Sequence, residues 1–136
     1  MQVLEKIKAF YEQDVFVRSI GVRIAQITEG EAICTMEITP THLNANHVIQ
    51  GGATFTLADF AFAVAAGSYN RSYVSLSSTI SYMRPPKGVV LTAVAKVISK
   101  TRHTCVCNVQ VCDEMGTQVA CITATGYVKD MPIVEE

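Results

Sequence analysis

The sequence predicts an α+β domain in which one long helix lies against a curved antiparallel β-sheet. Residues 53–66 are apolar in every direction around a helical wheel, the pattern of a helix that is buried on all sides. Long β-rich runs follow this helix and are joined by short turns, and strands do not alternate with helices. A sheet that curves around the helix would bury all of its faces. A chain of 136 residues is expected to form one domain, 1–136.

The first elements are a short helix and a hairpin. Over Val3–Tyr11 the apolar residues recur at helical spacing, at Val3, Leu4, Ile7 and Phe10. We expect that face to pack against the domain. Two β-rich runs, Ile20–Thr28 and Ala32–Thr39, flank Glu29-Gly30-Glu31, which predicts a hairpin. Pro40 ends the second strand.

The central helix contains one acid, Asp59, which is the only side chain between Glu37 and Arg71 that is charged at neutral pH. A carboxylate in such an apolar segment gives up hydration and needs a compensating reason. The reason is either chemical or structural, such as a pairing with arginine or the capping of a neighbouring helix. We expect Gly67 to stop this helix.

The second half of the chain consists of long strands. Tyr73–Met83 alternates, with Val74, Leu76, Ser78, Ile80 and Tyr82 predicted to share one face, and Pro85-Pro86-Lys87-Gly88 breaks it. Three further strands are predicted at Val89–Lys100, Thr104–Cys112 and Thr117–Lys129. Short turns between them favour an antiparallel meander.

Composition excludes several classes of function. Net charge is −1 and no basic patch is present, so we expect no nucleic-acid partner. The central helix is too short for a bilayer, and charged residues near the N-terminus do not fit a signal peptide. The five cysteines form no Cys-x-x-Cys motif and have no histidine at ligand spacing, so we expect no metal, no disulfides and a cytoplasmic location. An apolar fraction of 49% indicates that association buries further surface.

Paired glycines, Gly51-Gly52, open the central helix after a polar loop. The first amides of a helix have no internal acceptor and lie at the positive end of its dipole. Glycines let such amides approach a ligand, so the pair predicts donors for a developing oxyanion. The same glycines could instead serve only to turn the chain into the helix.

These residues together resemble a known family. Leu43-Asn44-x5-Gln50-Gly51-Gly52-x4-Leu57-Ala58-Asp59 and the later Ile80-Ser81-Tyr82-Met83-Arg84-Pro85 are similar to segments of the PaaI-like acyl-CoA thioesterases, which have the hotdog fold. The resemblance extends over nearly all of the chain after about Ser19. The family usually has histidine where this chain has Gln50, and glutamine cannot carry a proton at neutral pH.

The resemblance implies hydrolysis of an acyl-CoA thioester to a free acid and coenzyme A. Asp59 would act as general base or as nucleophile, and the sequence does not choose between these roles. The amide of Gly51 would polarise the carbonyl, and Asn44 would orient the reacting group. Ser75 would hold the attacking water or the carboxylate, and Gln50 would hydrogen-bond the thioester oxygen or orient the loop. Coenzyme A is part of the substrate, and no separate cofactor is implied.

The spacing of Gly51 and Asp59 predicts a shared site. They are eight residues apart on one helix, or ~12 Å along its axis, whereas a base and an oxyanion donor must both lie about 3 Å from the reacting atoms. Two antiparallel copies can meet this requirement. We therefore expect an obligate homodimer with two composite sites, and a dimer of such dimers.

The residues predicted to bind coenzyme A, and the alternative functions, depend on weaker patterns. We expect the basic residues at strand ends to cluster around the nucleotide of coenzyme A, together with Gly52 and His103, although such residues are often only solvated; they are Arg84, Lys87, Lys100 and Arg102. We expect the acyl group to be aryl or of short to medium length. A non-catalytic acyl-CoA sensor is the main alternative. A hotdog dehydratase would need a histidine paired with an acid, and the central helix has none.

Overall fold

A computed structural model describes residues 2–136. The described elements, in chain order, are α1 (Gln2–Tyr11), α2 (Val15–Ser19), β1 (Val22–Thr28), β2 (Glu31–Glu37), a 3-10 turn (Pro40–His42), α3 (Gly51–Gly67), β3 (Tyr73–Tyr82), β4 (Val90–Lys100), β5 (Thr104–Asp113) and β6 (Gln118–Val128). A long helix against a six-stranded antiparallel sheet confirms the predicted α+β class.

The strand order differs from the predicted meander. The sheet runs β1-β2-β4-β5-β6-β3, so only β4, β5 and β6 form a meander, and β3 lies beside β6 at the edge. The proline-containing connection after β3 crosses the ends of β5 and β6. It is fastened there by Asp113, whose Oδ2 accepts hydrogen bonds from the amides of Lys87 (2.7 Å) and Gly88 (2.9 Å). Two prolines cannot supply the amides of a tight hairpin, which explains why β3 and β4 are not neighbours.

The N-terminal region contains a second helix that was not predicted. α2 has only five residues, and its N-cap is Asp14, whose side chain accepts a hydrogen bond from the amide of Val17 at 3.0 Å. α1 buries Ile7 as its pattern indicated. Phe10, however, is 47% exposed, although the same pattern placed it on the packed face. The exposure of Phe10 leaves an aromatic ring at the surface of the domain.

The central helix is less enclosed than predicted. Its fully buried residues include Leu57, Ala58, Ala61, Phe62, Val64 and Ala65. Gly52, Phe55, Thr56, Asp59 and Ala63 keep partial exposure. Their spacing of three or four residues places them on one face, which we call the open stripe. The sheet thus curves around the helix without closing over this face in a single chain.

The end of α3 does not depend on a left-handed glycine. Gly67 is the last helical residue and has no positive φ, whereas Asn70 beyond it has a φ of 58°. A Cβ at Gly67 would overlap the ring of Tyr11. α3 thus ends at Gly67 as predicted, but the left-handed residue is Asn70, and the missing side chain of Gly67 lets α1 approach α3 closely.

Asn70 fastens the C-terminal segment to the end of α3. Its Oδ1 accepts hydrogen bonds from the amides of Ile133 and Val134, both at 3.0 Å, and its Nδ2 donates to the carbonyl of Val134 at 3.0 Å. This buried side chain brings the segment beside α1. No helix among residues 2–136 combines the length and apolarity needed to cross a membrane.

Candidate active site

The loop before α3 is fixed by a buried histidine. His42 Nε2 donates to the carbonyl of Ile20 at 2.6 Å, and its Nδ1 accepts from the amide of Thr39 at 2.9 Å. The Nε2 bond thus holds the loop to the chain before β1, and the Nδ1 bond closes the 3-10 turn in which His42 lies. The amide of Gln50 donates to the carbonyl of His42 at 2.7 Å, and Gln50 is the extended N-cap of α3.

Asn44 shapes the same loop. Its Oδ1 accepts hydrogen bonds from the amides of Asn46 (2.9 Å) and Val48 (3.3 Å), and its own amide donates to the carbonyl of Val48 at 2.8 Å. Its Nδ2 and the side chain of Gln50 have no hydrogen-bond partner among residues 2–136. The predicted contact of Asn44 or Gln50 with a reacting thioester stays a prediction.

The two glycines at the start of α3 have different surroundings. Neither amide has an acceptor within the described chain. Tyr82 donates its hydroxyl to the carbonyl of Gly51 at 3.0 Å, and a Cβ on Gly51 would lie 3.1 Å from the tyrosine ring. At Gly52 the nearest atom to such a Cβ is 3.9 Å away, on Gln50. Tyr82 therefore holds in place the peptide between Gly51 and Gly52, which carries the amide of Gly52.

Tyr82 is a site residue that the sequence did not single out. It belongs to the Ile80–Pro85 segment that carried the resemblance, but nothing in an alternating strand distinguishes the tyrosine that contacts a glycine. The contact arises because the end of β3 passes the start of α3 in the folded chain, which the sequence does not show.

Asp59 lies on the open stripe without a local partner. It makes no hydrogen bond and no ion pair with any residue of the described chain. Partial burial raises its pKa above the ordinary 3.8, and the negative charge of Asp14 raises it further. The structural explanation, an aspartate paired with arginine or capping a neighbouring helix, is therefore excluded within residues 2–136.

Ser75 lies just before a β-bulge, on the face of β3 that Tyr73 occupies. The register of β3 against β6 shifts between Ser75 and Ser77, which leaves Leu76 in the bulge. The predicted common face of β3 is therefore wrong in its first half, where Ser75 takes the inner position instead of Val74.

Tyr73 lies between β3 and the part of α3 that carries Asp59. The Tyr73 ring packs edge-on against Phe62 at 5.2 Å, and Phe62 lies one helical turn after Asp59. Burial raises the pKa of Tyr73, and the charges of Tyr11 and Asp59 raise it further, whereas Ser75 lowers it. Sequence reasoning overlooked this tyrosine.

The structure separates two groups of candidate residues within one chain. Gly51, Gly52 and Tyr82 lie at the start of α3, and Asp59, Tyr73 and Ser75 lie about two turns further along. The rise of a straight helix puts Gly51 and Asp59 ~12 Å apart along its axis. A single chain therefore holds these two groups of candidate residues apart, and we call each group a half-site of the shared site that the sequence predicts.

The basic residues do not form the single cluster that was predicted. Arg84 and Lys87 line a cavity beside the β5–β6 turn, whereas Lys100, Arg102 and His103 line another with Arg71. These cavities flank opposite ends of β4, which has eleven residues and spans roughly 33 Å. Lys100 Nζ lies 4.8 Å from the centroid of the Tyr69 ring, and His103 stacks on Tyr127 at 5.8 Å.

Each half-site borders a cavity. A groove of about 310 Å³ runs beside Gly51 and Tyr82 to Met83, Arg84 and the prolines that follow. A pocket of about 360 Å³ lies next to Ser75 and Tyr73, below α1. Both volumes are near the lower end of the range for small-molecule sites.

Comparison with known proteins identifies relatives with a defined chemistry. Residues 46–120 match the Thioesterase superfamily. The chain is 35% identical over 113 residues to the acyl-coenzyme A thioesterase PaaI of Escherichia coli, with 82% of this chain and 81% of that protein covered.

Solved structures agree with this match. The PaaI protein from the phenylacetic acid degradation operon of Escherichia coli superposes with a TM-score of 0.88 at 31% identity, over 93% of this chain and 92% of that one. A hypothetical thioesterase from Streptococcus pneumoniae, solved with coenzyme A, superposes with a TM-score of 0.82 at 26% identity, over 93% and 98%. The predicted hotdog fold is confirmed.

Proposed function

Because the chain belongs to the PaaI-like acyl-CoA thioesterases of the thioesterase superfamily and is a thioester hydrolase, we propose that it hydrolyses acyl-CoA in sites shared between two copies. The observation that carries this proposal is the position of Asp59. An aspartate with no local partner and a raised pKa faces outward on the open stripe, two helical turns from the free amides of Gly51 and Gly52.

The edge strand β3 supports the arrangement of the two copies. Its outer edge has no neighbouring strand in the described sheet, and Val74 and Leu76 on it are exposed at 43% and 61%. β3 begins near Asp59, at Tyr73, and ends beside Gly51, at Tyr82. An antiparallel pairing of two such edges about a two-fold axis places the Tyr82 end of one copy next to the Tyr73 end of the other. Each Asp59 then faces the glycine amides of the second copy.

The proposed reaction uses these groups in sequence. The amide of Gly51 donates a hydrogen bond to the thioester oxygen, and Asp59 of the other copy takes a proton from a water that attacks the carbonyl carbon. The tetrahedral oxyanion collapses with cleavage of the C–S bond, which releases the acid and the coenzyme A thiolate. Alternatively, the carboxylate of Asp59 attacks the carbonyl carbon directly and expels the thiolate, which leaves a mixed anhydride that a water molecule then hydrolyses to the acid and free Asp59. Gln50 can orient the substrate but cannot take the proton, which leaves that task to Asp59.

The same pairing accounts for the divided basic residues. The groove beside Gly51 continues through Arg84 to Lys87, and both cations lie at one end of the sheet. An antiparallel second copy brings its Lys100 and Arg102 to that same end, roughly three strand spacings or ~15 Å to the side. Cations from two copies would thus flank the phosphates of coenzyme A.

The alternative that the sequence left open is a non-catalytic acyl-CoA sensor, because Gln50 stands where the family usually has histidine, whereas membership of the family supports the hydrolase. Thiol release from a panel of acyl-CoA thioesters separates the two candidates. We expect the wild-type protein to release free thiol and Asp59→Asn to lose about 10²–10⁴-fold in kcat. Tight binding of acyl-CoA by the wild-type protein with no release from any member of the panel would instead establish the sensor.

A further inference from the structure

We propose that the pocket below α1 receives the acyl group, that Phe10 limits its size, and that the substrates carry compact, uncharged acyl groups. This inference rests on the proposed function, because it assigns the two cavities of that site to the two ends of the thioester. The α1 pocket is lined by Phe10, Tyr11, Tyr73 and Ile133, with Ser72 and Ser75 as its polar members.

The pocket adjoins the proposed reacting groups. Tyr73 and Ser75 form part of its wall. The Tyr73 ring packs at 5.2 Å from the ring of Phe62, which lies one helical turn after Asp59. A thioester carbonyl held next to Asp59 therefore lies at the same end of α3 as this pocket.

Charge distinguishes the two ends of the thioester. The groove beside Gly51 leads to Arg84 and Lys87, which suits the phosphates of coenzyme A. No charged side chain lines the α1 pocket. A carboxylate placed against such a lining would lose its hydration without gaining a cation in the pocket wall. We infer that a terminal carboxylate on the acyl group is excluded.

Phe10 and the C-terminal segment set the depth of the pocket. The Phe10 ring packs edge-on against Tyr11 at 5.2 Å and is otherwise half exposed. Ile133 stands nearby because Asn70 holds its amide at 3.0 Å. An aromatic ring and a branched side chain at this position would stop a long chain. The role in acyl selection also explains why α1 presents Phe10 outward although its sequence pattern predicts packing.

The test measures kcat/KM for unbranched acyl-CoA thioesters of increasing length, together with phenylacetyl-CoA and succinyl-CoA. We expect the wild-type protein to prefer short or compact groups and to reject succinyl-CoA. Phe10→Ala should raise the ratio of long-chain to short-chain kcat/KM by about 10-fold or more, since one methylene in an apolar pocket is worth 10–200-fold. Phe10→Trp should lower the same ratio.

Phe16→Ala serves as the matched control, because Phe16 is another exposed aromatic of the N-terminal helices, at 64%, that does not line the pocket. Its length profile should equal that of the wild-type protein. An unchanged profile in both Phe10 variants, with hydrolysis intact, would overturn this inference while leaving the proposed function standing. Failure of the wild-type protein to hydrolyse any thioester would overturn both.

Discussion

Asp59 was identified from sequence as a candidate catalytic residue because of its apolar surroundings. It is the only charged side chain in a long apolar stretch, and the structure gives it no hydrogen bond or ion pair within residues 2–136. Partial burial together with the charge of Asp14 raises its pKa. A carboxylate that is costly to ionise and has no local partner is consistent with a base that meets its substrate on the open stripe.

The raised pKa of Asp59 has opposite consequences for stability and activity. The folded state holds the Asp59 proton more tightly than the unfolded state does, so stability falls as pH rises from about 3.8 through the folded pKa. Asp59→Asn should therefore raise the Tm at pH 7, and its advantage should vanish in acid below the unfolded pKa. In the wild-type protein kcat should fall as Asp59 is protonated. An unchanged or lower Tm of Asp59→Asn at pH 7 would contradict this explanation.

The role of the Gly51 amide can be tested separately from the steric effect of adding a side chain at this position. Gly51 is the first residue of α3 and follows Gln50 with φ −63° and ψ 132°, a conformation that a following proline requires. Gly51→Pro removes the backbone N–H and adds a Cβ against Tyr82. Gly51→Ala adds the same Cβ but keeps the N–H. We expect Gly51→Pro to have a kcat about 10²–10³-fold below that of Gly51→Ala. Equal kcat values in the two variants would exclude this amide as the oxyanion donor.

At the scale of elements, the sequence predicted α1, the hairpin, α3 and the long strands with small errors at their ends. Their hydrophobic periodicity is strong, and turn residues separate them. The same signals could not reveal α2, since one short turn of helix depends on the Asp14 cap and tertiary contacts. The sequence also did not predict that β3 lies at the edge of the sheet. Strand order depends on the path of the proline-containing connection between β3 and β4, and the sequence pattern does not give that path.

The bulge at Leu76 shows why the face of a strand is harder to predict than its existence. Strict alternation placed Val74 and Leu76 together with Ser78 on one face. One extra residue in β3 moves Ser75 to the inner side and leaves Leu76 outside. The site residue Ser75 was therefore found through family resemblance, and its orientation became clear only from the register.

The exposed edge of β3 is expected to be the contact between copies. Leu76→Arg should place an unpartnered charge in that contact, convert the dimer into a monomer and reduce kcat at least about 10-fold, because each site then lacks one half. Ile98→Arg is the matched control, since Ile98 is equally exposed, at 62%, on the interior strand β4. Molar mass from light scattering and thiol release measure the two effects. A monomeric Leu76→Arg protein with full activity would contradict the shared site.

At the scale of the whole molecule, the predicted fold is confirmed and the site shared between two copies stays a prediction. The sequence predicted the separation of Gly51 from Asp59, because spacing along a single helix fixes the distance between them. It could not predict that Arg84 and Lys100 lie at opposite ends of the sheet, because residues at strand ends look alike in sequence. Nor could it identify Tyr82 and Tyr73, whose contacts depend on how β3 passes α3.

The shared site is tested most directly by mixing two inactive variants. Asp59→Asn retains the glycine amide, and Gly51→Pro retains the carboxylate, so each homodimer should lack one group in both of its sites. After subunit exchange, half of the dimers are mixed and each contains one complete site, which predicts about a quarter of the wild-type activity. Recovery to that level supports an active site built from two copies. No recovery, in a mixture whose exchange is verified by mass spectrometry, would contradict it.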